Sequence, residues 1–417
     1  MSSSIDSTKD DLEPEFLKSE KAFSISLCLI MFLIYSENFI IAPLISEISA
    51  SLNMSLQLSA NLVTVYTLSV GFGALLYGPI SDSIGRYKSI CLSLAGFAVC
   101  TFFCGAAWDA TSMYTFRILC GLFAGIITSN TFAYVGDYYI SKNSLQSIPV
   151  AMGKVMSGMF AAIVVGVPLG ILVGHLSSWR TAFTCLSILS VALLIFILVG
   201  VEYVKSKKAQ TTGYLNSLAG YFKFLGNSQL TKITALFFSF QFVVTAFATF
   251  SPLWIIDHGY NLLTLTIIYG VTGFISVFVS MKSGYWVKQL GITKTFLISN
   301  ILVMLALVFI VSITFNIYVV AALMAVYLSC ISLRMGPLQA LSVSSVDAME
   351  RGRFSSFNSF AMQMGSSLGV ALFSVMIANQ QQVTGLSFNV GVYFLVGVTA
   401  LSTLIAIFVK SPSPKAA

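Results

Sequence analysis

The chain has 417 residues, of which 57% are hydrophobic and 9% charged, with a net charge of +7 and a mean hydropathy of +0.90. An average soluble domain is about 25% charged, so this chain cannot cover a water-facing surface. A cytosolic enzyme, a nucleic-acid-binding domain and a secreted scaffold are excluded, and a polytopic membrane protein remains. At about 20 apolar residues per spanning helix, there is room for about twelve spans joined by short loops.

Residues 1–21 are polar and acidic and read as a disordered cytoplasmic tail. Twelve apolar runs follow, at 22–46, 57–80, 88–108, 112–138, 149–174, 180–203, 232–256, 262–281, 294–314, 317–341, 354–378 and 388–409. They are too long and continuous for soluble helices, and a backbone in lipid must satisfy its own hydrogen bonds. Cys28, Cys91, Cys100, Cys104, Cys120, Cys185 and Cys330 all fall in these runs without pairing or metal-ligand spacing. They read as small apolar side chains.

The basic residues set the expected topology. With the N-terminus inside, every Lys and Arg except Arg117, Lys154, Arg180 and Arg334 falls on the cytoplasmic side. Basic residues orient membrane chains, so both termini are expected inside and the number of spans even. The +7 is then a topology signal, with lipid headgroups as its partners. The longest link, 204–231, separates two groups of six spans. A weak repeat supports this division: Gly78, Gly85 and Lys88 after the second span correspond to Gly284, Gly291 and Lys294 after the eighth, about half the chain length later. Two matching halves are the organisation of a rocking secondary transporter.

Three motifs carry a family resemblance. Gly78-Pro-Ile-Ser-Asp82-Ser-Ile-Gly85-Arg86-Tyr-Lys88 resembles the loop 2–3 signature of the major facilitator superfamily, Arg117-Ile-Leu-Cys-Gly121 its span 4 signature, and Gly166-Val-Pro168-Leu-Gly170-Ile-Leu-Val-Gly174 its span 5 antiporter signature. The third points to exporters of the drug:proton antiporter group. Ser36-Glu37-Asn38-Phe39, Asn61-Leu-Val-Thr-Val-Tyr66 and Trp179-Arg180-Thr-Ala-Phe183 are similar to the branch of sugar, arabinose-polymer, purine-nucleoside and chloramphenicol exporters. That branch usually has Thr-Glu-Phe where this chain has Ser-Glu-Asn-Phe. The resemblance implies an all-α membrane protein of the major facilitator fold. Its twelve transmembrane helices form two pseudo-symmetric halves, 22–203 and 232–410, between cytoplasmic tails 1–21 and 411–417 and around the loop 204–231.

The resemblance also implies roles. Gly78, Asp82, Gly85, Arg86 and Lys88 would form a cytoplasmic latch; the alternative is a solvated charge cluster that holds topology. Gly166, Gly170 and Gly174 form one smooth stripe four residues apart, beside a kink at Pro168, which lacks an amide donor. The family uses this stripe as a seam between halves.

Glu37 is the one acid away from tails, loops and helix ends. It lies roughly 13 Å deep at 1.5 Å per residue, where a charge costs at least about 2.5 kcal/mol. It must be protonated, paired or facing water. A carboxyl moved between apolar surroundings and a nearby cation binds and releases a proton; a static buried ion pair is the alternative. Arg117 is the natural partner, unless it snorkels to the outer interface. Arg334 either snorkels inward or faces the cavity as a cation for an anionic or carbonyl-bearing substrate group. Tyr35, Asn38, Tyr66, Asn130, Gln241, Asn358 and Gln363 are the remaining substrate-contact candidates, each of which can instead bond a neighbouring helix.

Gly365-Ser-Ser367-Leu-Gly369 imitates a hydrolase nucleophile elbow, but it lies inside an apolar span, and the two histidines, His175 and His258, belong to outer loops. Small-residue helix packing accounts for it. No phosphate-binding loop is present, so the expected drive is a proton gradient, with no cofactor, no metal and no enzymatic activity. The expected protein is a monomeric proton-coupled antiporter in the cell's inner or plasma membrane, exporting a small drug-, sugar- or nucleoside-like molecule. An importer or facilitator of the same fold, and a non-coupled channel or receptor, are the alternatives. Expected partners are the substrate, protons and the lipid bilayer, with no nucleic acid.

Overall fold

The computed structural model describes residues 20–142, 147–200, 223–260, 262–312, 316–347, 350–378 and 385–409, with residues 144, 220 and 221 between them. Residues 1–19 of the expected N-terminal tail, the expected tail 411–417 and most of the expected central loop lie outside the described residues, as do the surroundings of Gly78, Asp82 and Pro168; the last two residues of the expected N-terminal tail, Glu20 and Lys21, instead begin the first helix. The long helices are α1 (Glu20–Ser51), α2 (Leu56–Ile84), α3 (Arg86–Gly105), α4 (Ala110–Ser141), α5 (Ile148–Ala161), a π segment (Ala162–Gly166) continuing into α6 (Val167–Leu176), and α7 (Trp179–Gly200). The second half repeats the pattern with α8 (Ser228–Asp257), α9 (Leu262–Leu290), α10 (Ile292–Ser312), α11 (Ile317–Ser344), α12 (Arg351–Ala378) and α13 (Gly385–Ile407).

Among the described residues, ten helices are long and apolar enough to cross a membrane. The expected spans 57–80 and 354–378 correspond to α2 and α12, which are 29 and 28 residues long; the stretch of α2 whose side chains are all described, Asn61–Tyr77, is apolar and shorter than a span. Polar side chains on both helices have a place in the fold. The two helices meet across the middle of the molecule, where Thr67 and Ser367 hydroxyls lie 3.3 Å apart and Gly71 lets the Gln363 side chain approach.

Local chemistry sets the helix ends. The α4 N-cap is a capping box: the Ser112 amide donates to Asp109 at 2.7 Å, and the Asp109 amide donates to the Ser112 hydroxyl at 3.1 Å. The first bond holds the Asp109 carboxyl below its ordinary value. Asn316 caps α11 through the Tyr318 amide at 3.0 Å. The internal repeat is visible in the backbone. Gly85 (φ 95°) is the single residue between α2 and α3, and Gly291 (φ 82°) the single residue between α9 and α10. L-residues rarely adopt these angles, so the same glycine in each half makes the same one-residue turn.

Glycines let the helices approach closely. In the first half, a Cβ on Gly121 would stand 2.6 Å from the Tyr66 carbonyl oxygen, and Gly125 and Gly73 meet α2 and α4 backbone in the same way. In the second, a Cβ on Gly369 would stand 2.5 Å from the Phe242 oxygen, with Gly365 against Phe238. The Gly365–Gly369 pattern is therefore a packing face of α12 on α8.

The halves touch through small residues as well. A Cβ on Gly153 of α5 would meet the Ser280 oxygen and the Ser283 hydroxyl of α9 at 2.7 Å, and the Ser280 hydroxyl donates to the Gly153 oxygen at 3.0 Å. The Ser355 hydroxyl of α12 donates to the Ser129 oxygen of α4 at 3.2 Å. Gly136 abuts Val343, and Gly273 abuts Val164. These contacts run from the end that holds the Gly85 and Gly291 turns to the middle of the bundle. At that end Tyr221, from the segment joining the halves, stacks on Phe357 at 5.9 Å and donates its hydroxyl to the Leu75 oxygen of α2 at 2.7 Å.

Gly291→Ala is expected to lower stability by about 1–2 kcal/mol through backbone strain alone, since a Cβ there meets nothing within 4 Å. Thermal unfolding of the purified variant in detergent measures this, and an unchanged midpoint would contradict it.

Candidate functional site

The site begins on α1. Glu37 lies near the middle of this 32-residue helix and is fully buried. Its Oε1 is paired with Nη1 of Arg117 on α4, also fully buried. Cys120, one turn further along α4, donates its thiol to the same oxygen at 3.7 Å and lies 3.2 Å from the Thr101 hydroxyl. The Arg117 guanidinium lies over the Tyr66 ring of α2 at 4.1 Å, an arrangement that stabilises a desolvated cation. Glu37 Oε2 is buried with no hydrogen-bond partner among the described residues. A carboxylate in such surroundings depends on its one cation, and removing either partner leaves an uncompensated buried charge.

Tyr66 connects this pair to a small central cavity of about 20 Å³. Tyr35 and Asn38 line it from α1, Tyr66 from α2 and Gln363 from α12. Thr128, Phe132, Ser359 and Met362 complete the wall with Ile34 and Val70. Both halves contribute, and no charged side chain is among the described residues that line the space. The sequence signal for the missed residues is weak but present: Thr128 and Phe132 are four apart on α4, and Ser359 and Gln363 four apart on α12, so each pair shares a helix face.

Four candidates lie elsewhere. Asn130 donates to the Ser89 hydroxyl at 3.2 Å and the Ile126 oxygen at 2.8 Å, tying α4 to α3. Asn358 accepts from Thr234 at 2.8 Å and donates to Ser342 at 2.7 Å, joining α8, α11 and α12. Gln241 is buried and donates to Thr245 at 3.1 Å on its own helix. Arg334 neither reaches an interface nor lines the cavity; it is 2% exposed and bonded to Asn300 on α10. The outer-interface alternative for Arg117 likewise fails, since the side chain is fully buried.

Two motif expectations are redrawn. The stripe of Gly166, Gly170 and Gly174 does not face the other half. It packs on α1 of its own half, against Ser36, Ile40 and Leu44 in turn. The cross-half contacts of this rod include Val150 against Gly284, Gly153 against Ser280 and Val164 against Gly273. Pro168 cannot donate to the Val164 oxygen, and the chain answers with the wide-turned π segment at 162–166. Gly166 thereby abuts Ser36, the neighbour of Glu37. In the loop motif, Arg86 pairs with Asp137 of α4 at 2.5 Å and donates to the Ala133 oxygen at 2.9 Å. The expected partner, Asp82, has its side chain outside the described residues. Gly85 makes the turn, and Lys88 is exposed.

A family model described as Major Facilitator Superfamily matches residues 27–370. The chain belongs to the major facilitator superfamily. It is 26% identical over 386 residues to the uncharacterized MFS-type transporter YceJ of Bacillus subtilis, covering 90% of this chain and 94% of that one. It is 27% identical over 212 residues to a probable sugar efflux transporter of Pasteurella multocida, covering 50% of this chain and 51% of that one. Its fold is similar to the crystal structure of the human organic anion transporter MFSD10, with a TM-score of 0.77 and 13% identity over 93% of this chain and 99% of that one. Members of this family are transporters that sit in a bilayer and bind small molecules, and efflux proteins are among the relatives of this chain.

The Glu37–Arg117 pair predicts a double-mutant cycle. Arg117→Met alone should destabilise the protein by about 3–5 kcal/mol, and Glu37→Gln in the same chain should restore most of that. Unfolding midpoints of the two single variants and the double variant test this; simple additivity would show that the two charges do not depend on each other.

Proposed function

We propose that this protein is a proton-coupled antiporter that exports a small organic molecule by alternating access. The observation that carries this reading is the fully buried Glu37–Arg117 pair beside a cavity lined by both halves. Tyr66 touches both the pair and the cavity, so substrate that displaces its ring disturbs the cation that holds Glu37 ionised. When the pair loosens, an isolated carboxylate in an apolar bundle takes up a proton. When Arg117 returns, the proton leaves. Loading the cavity and protonating Glu37 are then competing events, which is the requirement for exchanging one for the other. The efflux proteins among the relatives support the outward direction.

In this reading the protein has twelve spans with both termini in the cytoplasm, works as a monomer in the inner or plasma membrane, and uses the proton gradient as its drive. Tyr35, Asn38, Tyr66 and Gln363 hold the substrate, which is drug-, sugar- or nucleoside-like. The end that holds the Gly85 and Gly291 turns is then the cytoplasmic end, and the close contacts there correspond to a molecule shut on the inside.

Proteoliposomes with an imposed pH gradient test this reading. Substrate from an efflux screen should move against its own gradient in the wild type. Glu37→Gln should lose gradient-driven transport by tenfold or more while retaining substrate exchange at zero gradient. Gradient-driven transport that survives Glu37→Gln removes Glu37 from the coupling, and net flux indifferent to the direction of the gradient removes antiport altogether.

A further inference from the structure

The second half contains a cation for which its own sequence offers no counter-charge. Arg334 lies on α11, ten residues before the helix ends at Ser344, and is 2% exposed. The acids of residues 232–410 are Asp257, Asp347 and Glu350. Asp257 closes α8 at the opposite end of the bundle. Asp347 and Glu350 follow α11, and the nearer is thirteen residues on, about 20 Å at helical rise. Glu37 is committed to Arg117 in the first half. A buried guanidinium is therefore left among neutral groups, and such a charge is strongly unfavourable without compensation.

The surroundings fix one side of the guanidinium and leave the other available. Nη1 donates to Oδ1 of Asn300. The Asn300 amide nitrogen is used in turn, donating to Ser402 at 3.1 Å and Thr403 at 3.0 Å on α13. This locks the amide with its oxygen toward the arginine, supplying a dipole but no charge. The Phe240 and Phe296 rings stand 5.2 and 5.8 Å from the guanidinium carbon. Nε and Nη2 are buried and make no hydrogen bond to a described residue. These two nitrogens share one edge of the planar group, and their N–H bonds run parallel. That is the fork by which arginine holds an anion side-on.

We propose that this edge of Arg334 binds a small inorganic anion of chloride size, at a site inside the second half and separate from the central cavity. The size follows from the setting. The side chain is 2% exposed and is not among the residues that line the cavity, so the site has no room for an organic carboxylate and the anion proposed is monatomic. The site neutralises the half without a titrating group. It makes stability depend on halide and leaves the Glu37 pair as the proton-responsive charge of the bundle.

The test needs no substrate. The full-length protein, purified in detergent, is unfolded thermally in sodium gluconate while chloride replaces gluconate at constant ionic strength. The midpoint should rise by a few degrees and saturate, with bromide acting alike. Arg334→Gln and Arg334→Met should lose the chloride response; Arg334→Met also removes the buried charge, so it is expected to fold. Equal midpoints in chloride and gluconate, or a response that both variants retain, would overturn the site. So would stabilisation by acetate or benzoate but not by chloride, which would make the arginine a carboxylate site. Should neither variant fold, crystals of the wild type grown in bromide decide: an anomalous peak within hydrogen-bond reach of Nε and Nη2 supports the site, and its absence there refutes it.

Discussion

Two opposite charges meet inside the first half where no water reaches them, and each is tolerable only because the other is present. The neighbours of Glu37 and Arg117 serve this meeting. Tyr66 lays its ring under the guanidinium, Cys120 turns its thiol to the carboxylate, and α1 is held in register by the glycines of the π segment and α6 pressing on Ser36, Ile40 and Leu44. A shift of α1 by one residue would turn Glu37 by about 100° and leave Arg117 facing hydrocarbon. The close glycine packing of the first half is thus a condition for keeping the pair, and through Tyr66 it bears directly on the cavity.

The second half solves the same electrostatic problem differently. Its buried arginine has an amide and two aromatic rings for company, with no acid in range. The halves share a backbone plan, visible in the matched turns at Gly85 and Gly291, but not a charge plan. The first half thus holds a paired charge, while the second holds its cation among neutral groups beside polar helix-to-helix bonds at Asn300 and Asn358.

Much of the fold was legible because lipid-compatible sequence is severe. Long apolar runs mark the helices in chain order, and a glycine repeated half a chain later marks the matched one-residue turns at Gly85 and Gly291. Glu37 stood out because an acid in an apolar run is rare, and Arg117 followed from depth. What the sequence did not carry was rotation about each helix axis. Asn130 and Asn358 look like cavity residues in a linear reading, yet each faces a neighbouring helix and is satisfied there. Thr128 and Ser359 carry no such mark, because a hydroxyl can bond back to its own helix, as Thr128 does to the Gly125 oxygen at 3.1 Å. The stripe of Gly166, Gly170 and Gly174 was plain as a smooth surface, but spacing alone does not say which helix lies on it.

Proline at position 79 gives the Tyr221 contact a wider meaning. In a regular helix the Leu75 oxygen would receive the amide hydrogen four residues on, and Pro79 has none to give. The hydroxyl that fills this gap comes from the segment that joins the halves, while the Tyr221 ring rests on Phe357 of the second half. The connecting peptide therefore acts as a buckle as well as a tether, fastened into a notch that the first half's own sequence cuts. Rocking the halves apart at that end would unfasten the buckle and bare a carbonyl with no helical donor. Any separation of the halves at that end would have to admit water to that carbonyl, so the wetting of a single oxygen would be part of its cost.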